Sequence, residues 1–384
     1  MSAKGIKKLL LVGNPNVGKS VIFGRLTGKY ATVSNYPGTT VELSLGNTAI
    51  RGVQYVVTDT PGVNSLLPMS EDEQVTRDIL LKEEFDTVVQ VADTKNLRRS
   101  LVISLQLSEM GIPFVMALNM ADEADNLGIT TDFAKLSALT GVETISTVAT
   151  RNKGVGRLKD AIQKPMRSKL EVIYGEEVES ALKEMEPLLP DARISRRSLA
   201  LMLLGGDTSL KDWLHSKVDD SVVDTLESIV QKAQAASGDP LGYVINRARL
   251  EAMDAVVDAC QVKTPGAGQG FRQWLGAMTM HPLWGIPVLF VVLYLMFEFV
   301  GRLGAGTLVD FMESVVFGRY INPYCMKFFL NYLPIQFLQE IIVGKYGILT
   351  MAVTYSVAIV LPITGTFFIA FGILEDSGYL PRLA

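Results

Sequence analysis

Histidine and cysteine are nearly absent from this chain, with two of each in 384 residues. Cys260 and Cys325 stand far apart and form no metal-binding spacing, so neither a disulfide scaffold nor a zinc module can be built from them. A reducing, cytosolic setting for the N-terminal part is the economical reading. An excess of positive charge is lacking too: the net charge is −4 and no basic cluster interleaves with aromatics, which gives no support to a nucleic-acid partner. The apolar run Leu9 to Val12 is too short for the core of a signal peptide, so the N-terminal domain is expected to stay in the cytoplasm. Charge vanishes altogether in two places, between Arg272 and Glu298 and from Tyr346 to Leu374.

What is present is a phosphate-binding pattern. Gly13-Asn14-Pro15-Asn16-Val17-Gly18-Lys19-Ser20 directly follows a strand-like apolar run and precedes the helix-like Val21 to Leu26. Such a loop presents backbone N–H groups and a helix N-terminus to phosphates, and glycines are needed where the chain bends and approaches closely. Lys19 would reach the terminal phosphates and the Ser20 hydroxyl would bind Mg²⁺. Asp59-Thr60-Pro61-Gly62 ends a second strand-like run. Asp59 can hold Mg²⁺ through water and the Gly62 N–H can meet a γ-phosphate, although alone these four residues are equally a turn. A third run leads into Asn119-Met120-Ala121-Asp122, a guanine-reading Asn-x-x-Asp pattern in which the Asp122 carboxylate can accept from the N1–H and 2-amino groups of the base. Alone, that pattern is also a helix cap. Ile145 to Arg151 resembles the last guanine-contacting loop, with Ala149 and a backbone N–H near Thr150 at the base oxygen.

Order decides the matter, because each pattern falls at the C-terminal end of an apolar strand, where open α/β sheets bind their ligands. A doubly wound α/β P-loop GTPase domain is expected over residues 1–166, binding GTP or GDP. Between the first two patterns, Asn35 to Glu42 contains a threonine able to complete the Mg²⁺ shell, and Thr40 is preferred over Thr39. Val63 stands where many GTPases carry a glutamine that orients water, which predicts slow intrinsic hydrolysis. Asn16 offers compensation: its position resembles that in potassium-activated GTPases, where a K⁺ ion near the β- and γ-phosphates does the electrostatic work of an arginine finger. The other reading of Asn16 is a loop cap.

From Ser168 to Lys263 the chain becomes charge-rich with helical spacing, and an all-α helical domain is expected over residues 167–263, with turns at Gly205-Gly206-Asp207 and Ser237 to Pro240. It could transmit the nucleotide state or act as a rigid spacer. Residues 264–282 then read as a linker, followed by the start of an α-helical transmembrane domain at 283–384 with spans near 283–303 and 346–374. Pro362 and Gly365 predict a broken or re-entrant second span, and Phe328 to Ile335 an interfacial segment.

Along its whole length the chain resembles the bacterial ferrous iron transporter B family (FeoB). The resemblance rests on the GTPase patterns, the helical domain, His281-Pro282-Leu283-Trp284-Gly285-Ile286-Pro287 before the first span, and Leu374 to Arg382 at the end. It implies a GTPase in the cytoplasm of a bacterial cell, a helical domain similar to a nucleotide-dissociation regulator, and a membrane part in the inner membrane that passes Fe²⁺ inward. It also implies fast GDP release, potassium stimulation and small cytoplasmic accessory proteins as partners. The family continues with further membrane helices, so the chain ending at Ala384 is expected to be a fragment, and two spans enclose a pore only if copies associate as a homo-oligomer. Glu375 and Asp376 are the candidate Fe²⁺ ligands, with helix capping as their alternative; Glu298 and His281 are assigned to the membrane interface. A different class of function, a membrane-anchored GTPase switch that recruits a partner protein, would need no broken span. If Thr40 belongs to the switch loop, Thr40→Ala should leave GDP binding nearly intact while impairing GTP hydrolysis; a loss of GDP affinity in a binding titration would contradict the assignment.

Overall fold

A computed structural model describes residues 6–28, 32–264, 278 and 283–377. His281, most of the linker and Gly378 to Arg382 therefore lie outside the described residues. The chain forms two compact units, Met1–Ala267 and Gly268–Ala384.

Unit 1 is organised by a seven-stranded sheet. In chain order its strands are β1 (Lys7–Gly13), β2 (Thr32–Asn35), β3 (Glu42–Ile50), β4 (Val53–Asp59), β5 (Thr87–Asp93), β6 (Phe114–Asn119) and β8 (Thr144–Ser146), and across the sheet they run β2-β3-β4-β1-β5-β6-β8. β4, β1, β5, β6 and β8 run parallel to one another, whereas β3 pairs antiparallel with β4 and β2 with β3. This antiparallel edge is a detail that the doubly wound reading of the sequence leaves open. Its cause is local: Arg51 and Gly52 both have positive φ, the geometry of a tight two-residue hairpin whose twist suits its strands, so β3 returns at once as β4. The parallel strands are buried on both faces, with Leu10 and Val12 in one apolar cluster and Leu9 and Leu11 in the other.

Helices cover both faces: α1 (Lys19–Thr27), α2 (Glu71–Lys82), α3 (Leu97–Glu109), the short α4 (Ala121–Asn126), α5 (Phe133–Thr140) and α6 (Val155–Ala161). A small strand β7 (Ile129–Thr131) lies between α4 and α5. The predicted helical domain follows as α7 (Glu176–Met185), α8 (Arg196–Leu204), α9 (Leu210–His215), α10 (Asp220–Ala236) and α11 (Leu241–Cys260). It is not a loose appendage. One apolar cluster runs from Leu10 and Val88 in the sheet through Leu101 and Leu105 of α3 to Leu182, Leu201, Leu226 and Met253 of the helical domain.

Two buried polar groups fix how the helical domain docks. Arg77 on α2, 1% exposed, donates from Nη1 to Asp207 Oδ2 at 2.5 Å and from Nη2 to Ser209 Oγ at 2.8 Å. Arg249 on α11 donates from Nη2 to Glu109 Oε2 at the end of α3, 2.7 Å away, and from Nε to the Tyr174 hydroxyl, which itself donates to Glu109. Burial pushes the Tyr174 phenol up, so it remains a neutral donor.

Unit 2 holds two helices long and apolar enough to cross a membrane, α12 (Gly285–Tyr332) and α13 (Gln336–Asp376), the latter interrupted by a turn at 344–347. Both exceed the roughly 20 residues that span a hydrocarbon core, and both are longer than the predicted spans. The predicted break at Pro362 and Gly365 is absent. Pro362 stands just inside the stretch Leu361–Asp376, directly after the wide turns of Ser356–Val360, where a change of hydrogen-bond register accommodates a residue without an N–H. The two helices meet closely at Gly304, where a Cβ would come within 2.2 Å of the Thr366 Oγ1.

The Arg77 to Asp207 pair is buried on both sides, and removing Asp207 leaves Arg77 with one carboxylate, Asp78, 2.8 Å from its Nε. Asp207→Ala should therefore cost about 1–3 kcal/mol in urea unfolding, the cost of a buried guanidinium N–H left without its acceptor, and Arg77→Met combined with Asp207→Leu less.

Candidate nucleotide site

The strand register brings the predicted patterns together. Leu11 pairs with Asp59, Gly13 with Val91, Asp93 with Asn119 and Leu118 with Ser146, so the carboxyl ends of β1, β4, β5, β6 and β8 lie side by side. The glycines of the first loop have steric reasons. At Gly13 a Cβ would lie 2.2 Å from the Val91 carbonyl oxygen; at Gly18, which has φ +83°, it would lie 2.4 Å from the Asn119 Nδ2. An open cleft of about 430 Å³ lies over the loop, lined by Asn14, Pro15, Asn16, Gly18, Lys19, Ser20, Val21, Gly62 and Asp72.

On the phosphate side, Lys19 and Ser20 converge on one carboxylate. Lys19 Nζ is 2.8 Å from Asp59 Oδ1 and also donates to the Thr60 carbonyl, and Ser20 Oγ donates to Asp59 Oδ2 at 2.8 Å. This cluster fits a nucleotide phosphate with its Mg²⁺: an ammonium, a hydroxyl and a carboxylate stand together, and the buried Asn14 Oδ1 beside them has no hydrogen-bond partner. Asn16 lines the same cleft in an exposed, left-handed position (φ 63°). Thr40 is the predicted residue that the structure does not bring to the cluster. Its N–H and hydroxyl donate to the Glu71 carboxylate at 3.3 and 3.4 Å, long contacts at an exposed site. Thr39 Oγ1 is bound to the Tyr36 carbonyl. Val63 is fully buried in the core, and its backbone N–H donates to the Gly13 carbonyl at 3.0 Å.

On the base side, Asn119 is the hub. Its Nδ2 donates to the Val17 carbonyl at 2.9 Å, and its Oδ1 accepts from Ala149 N–H at 3.0 Å and Thr147 Oγ1 at 3.3 Å. Met120 follows with φ 59°, a conformation that costs a residue other than glycine about 1–2 kcal/mol. Asp122 lies in the first turn of α4, accepting from the adjacent Glu123 N–H at 3.1 Å, and Arg151 Nη2 lies 3.8 Å from its carboxylate, which is 30% exposed.

Several contributors are invisible in the sequence. Arg25 on α1 donates from Nε to the Ala149 carbonyl at 2.9 Å and from Nη2 to the Thr150 carbonyl at 2.6 Å, tying the last base loop to the helix that starts at the phosphates. Glu73 accepts from the N–H groups of Asn64, Ser65 and Met69, and Gln106 from that of Leu66, which shapes the loop after Gly62. No sequence signal marks these residues, because their partners are backbone groups that any residue type supplies. Elsewhere, Glu375 and Asp376 stand exposed at the end of α13, and among the described residues no group of three or more His, Cys, Asp or Glu gathers into a metal site.

Comparison with known proteins places this geometry. The profile described as Ferrous iron transport protein B matches residues 7–162, and that of the FeoB cytosolic helical domain matches residues 174–262. A protein of Staphylococcus aureus strain MSSA476 named Fe(2+) transporter FeoB is 28% identical over 382 residues, covering 97% of this chain and 56% of that protein. The chain thus spans about half the length of the curated relatives it matches. The solved cytosolic domain of Legionella pneumophila FeoB is 31% identical with a TM-score of 0.60, over 67% of this chain and all of that one. The cytosolic domain of Thermotoga maritima FeoB in its GMPPNP form is 30% identical with a TM-score of 0.55 over the same shares. By its two matched domains and its likeness to these relatives, the chain belongs to the ferrous iron transport protein B family.

Proposed function

We propose that unit 1 binds GTP and hydrolyses it to GDP in the bacterial cytoplasm, and that the nucleotide state governs Fe²⁺ passage through an inner-membrane part of which α12 and α13 form the beginning. The observation that carries this reading is the convergence of four loops at one sheet edge, with Asn119 joining the phosphate loop to the last base loop. The T. maritima relative, crystallised in a GMPPNP form, supports the choice of ligand.

The residues divide the work. A phosphate entering the cleft competes with Asp59 for Lys19 and Ser20, because both side chains now rest on that carboxylate. Mg²⁺ held by Ser20 and Asp59, and by Thr40 once Glu71 releases it, would neutralise charge developing on the phosphates. Gly62 would offer its N–H to the γ-phosphate. The buried Val63 side chain cannot align water, so the intrinsic rate is slow, and K⁺ held by Asn16 would supply the missing positive charge. Asp122 selects guanine. In the membrane part Glu375 and Asp376 are the first candidates for Fe²⁺ contact, since carboxylates suit divalent cations and ionisable groups beside a span are costly to keep without a use. Small cytoplasmic accessory proteins and further copies of the chain complete the expected set of partners.

Uptake of radiolabelled Fe²⁺ into proteoliposomes carrying the complete gene product, with GTP on the side of unit 1, tests the reading. Uptake should require GTP and be lost in Asp122→Asn, while that variant gains affinity for xanthine nucleotides. Intact GTP hydrolysis with no Fe²⁺ flux in folded protein would instead support the anchored switch.

A further inference from the structure

The chain reaches the base-recognition loops a second time, from the far end of unit 1. Strand β9 (Gln261–Lys263) follows α11 and pairs antiparallel with β7, placing Gln261 opposite Thr131. Asp132 N–H donates to the Cys260 carbonyl at 2.8 Å and Thr264 N–H to the Gly128 carbonyl at 2.9 Å, closing both ends of this ribbon. Only Leu127 and Gly128 separate β7 from α4, the helix that carries Asp122.

The Gln261 side chain leaves the ribbon. Its Nε2 donates to the Thr94 carbonyl at 2.9 Å and to Thr131 Oγ1 at 3.0 Å. Thr94 is 2% exposed, and its own hydroxyl donates to the Asn119 carbonyl at 2.7 Å. One amide on the strand that closes unit 1 is thereby linked, through a single buried residue, to the peptide of the Asn119 hub. Pinning the ribbon is already done by the backbone ladder, so the side-chain amide is available for this second task.

We propose that Gln261 is a positioning residue for guanine recognition. By holding Thr94 it fixes the Asn119 carbonyl, and so the direction in which Asp122, three residues further on, presents its carboxylate to the base. The proposal rests on the guanine-nucleotide reading given above. It also gives β9 a use: this strand leads in sequence toward α12, and a displacement of it acts on the base loops through Thr94.

The test compares GDP with inosine diphosphate, which lacks the 2-amino group, by measuring dissociation constants for both on the 384-residue chain. Gln261→Leu, similar in size but without the amide, should weaken GDP about threefold to tenfold, the net worth of one neutral hydrogen bond, and weaken inosine diphosphate distinctly less, since that base offers Asp122 only its N1–H. Gln261→Glu should do the same, since an ionised carboxylate cannot donate to a carbonyl. Thr94→Val, which removes only the hydroxyl, should contract the preference as well, and provides the test if the Gln261 variants fail to fold. Thr131→Val keeps the bond from Gln261 to Thr94 and should retain the wild-type preference. If the Gln261 and Thr94 variants weaken both nucleotides in equal proportion, or neither, the amide is only structural and the proposal is overturned alone. A wild-type chain that does not distinguish GDP from inosine diphosphate or ADP would overturn the guanine reading, and the proposal with it.

Discussion

The Asn119 carboxamide is the contact on which the site depends. A side chain at the end of one strand binds the phosphate loop through Val17 and the last base loop through Ala149 and Thr147. All of these groups are buried, so each would pay a desolvation cost if the amide were missing, which makes the hub a strict geometric constraint. Gly18 follows from it, since a side chain there would occupy the position of the Asn119 amide nitrogen. So does the strained backbone of Met120, which persists because its neighbours on both sides are held. The loops are thus tied to one another by the protein's own hydrogen bonds.

The second constraint is the union of the sheet with the helical domain. A buried ion pair contributes little net stability compared with apolar residues of the same shape, but it tolerates only one arrangement. Arg77 sits six residues into α2, the helix whose first residue, Glu71, holds Thr40. A change that releases Thr40 from Glu71 would therefore act on the same helix that Asp207 and Ser209 grip from the other domain. Between the two readings left open by the sequence, transmitter or spacer, a shared core and a buried charge contact on the switch helix favour the transmitter.

Much of the site was legible because its chemistry demands residue types. Glycines at Gly13 and Gly18, an ammonium at Lys19 and a carboxylate at Asp122 have no substitutes that meet the same steric and electrostatic needs, so they leave a pattern in order along the chain. The helical domain was legible from its periodicity. Thr40 is a hydroxyl that the structure holds on Glu71 instead of at the phosphate cluster, and that partner could not be read, because exposed loops have several near-equal arrangements. The antiparallel edge turned on the backbone of Arg51 and Gly52, a two-residue signal lost among longer ones. Arg25, Thr94 and Gln261 were illegible for a simpler reason: each grips a carbonyl oxygen, and a carbonyl has no residue identity. Pro362 misled because a proline signals a break only where the helix around it has no slack in its hydrogen bonding.

On the proposed reading, these contacts would hold the two ends of the nucleotide with different parts of the chain. The phosphate end would meet Lys19 and Ser20, with Asp59 beside them, and Thr40, Glu71 and Arg77 lead from there to the helical domain. The base end would meet Asp122, and the Asn119 hub beside it is linked through Thr94 and Gln261 to β9. Hydrolysis changes only the phosphate end, whereas release of GDP also requires the base end to let go. A protein with a single line of contact would have to answer both events with one movement. With two lines, loss of the γ-phosphate can be registered at α2 while GDP remains held, and departure of GDP can be set separately from the strand that leads toward the membrane helices.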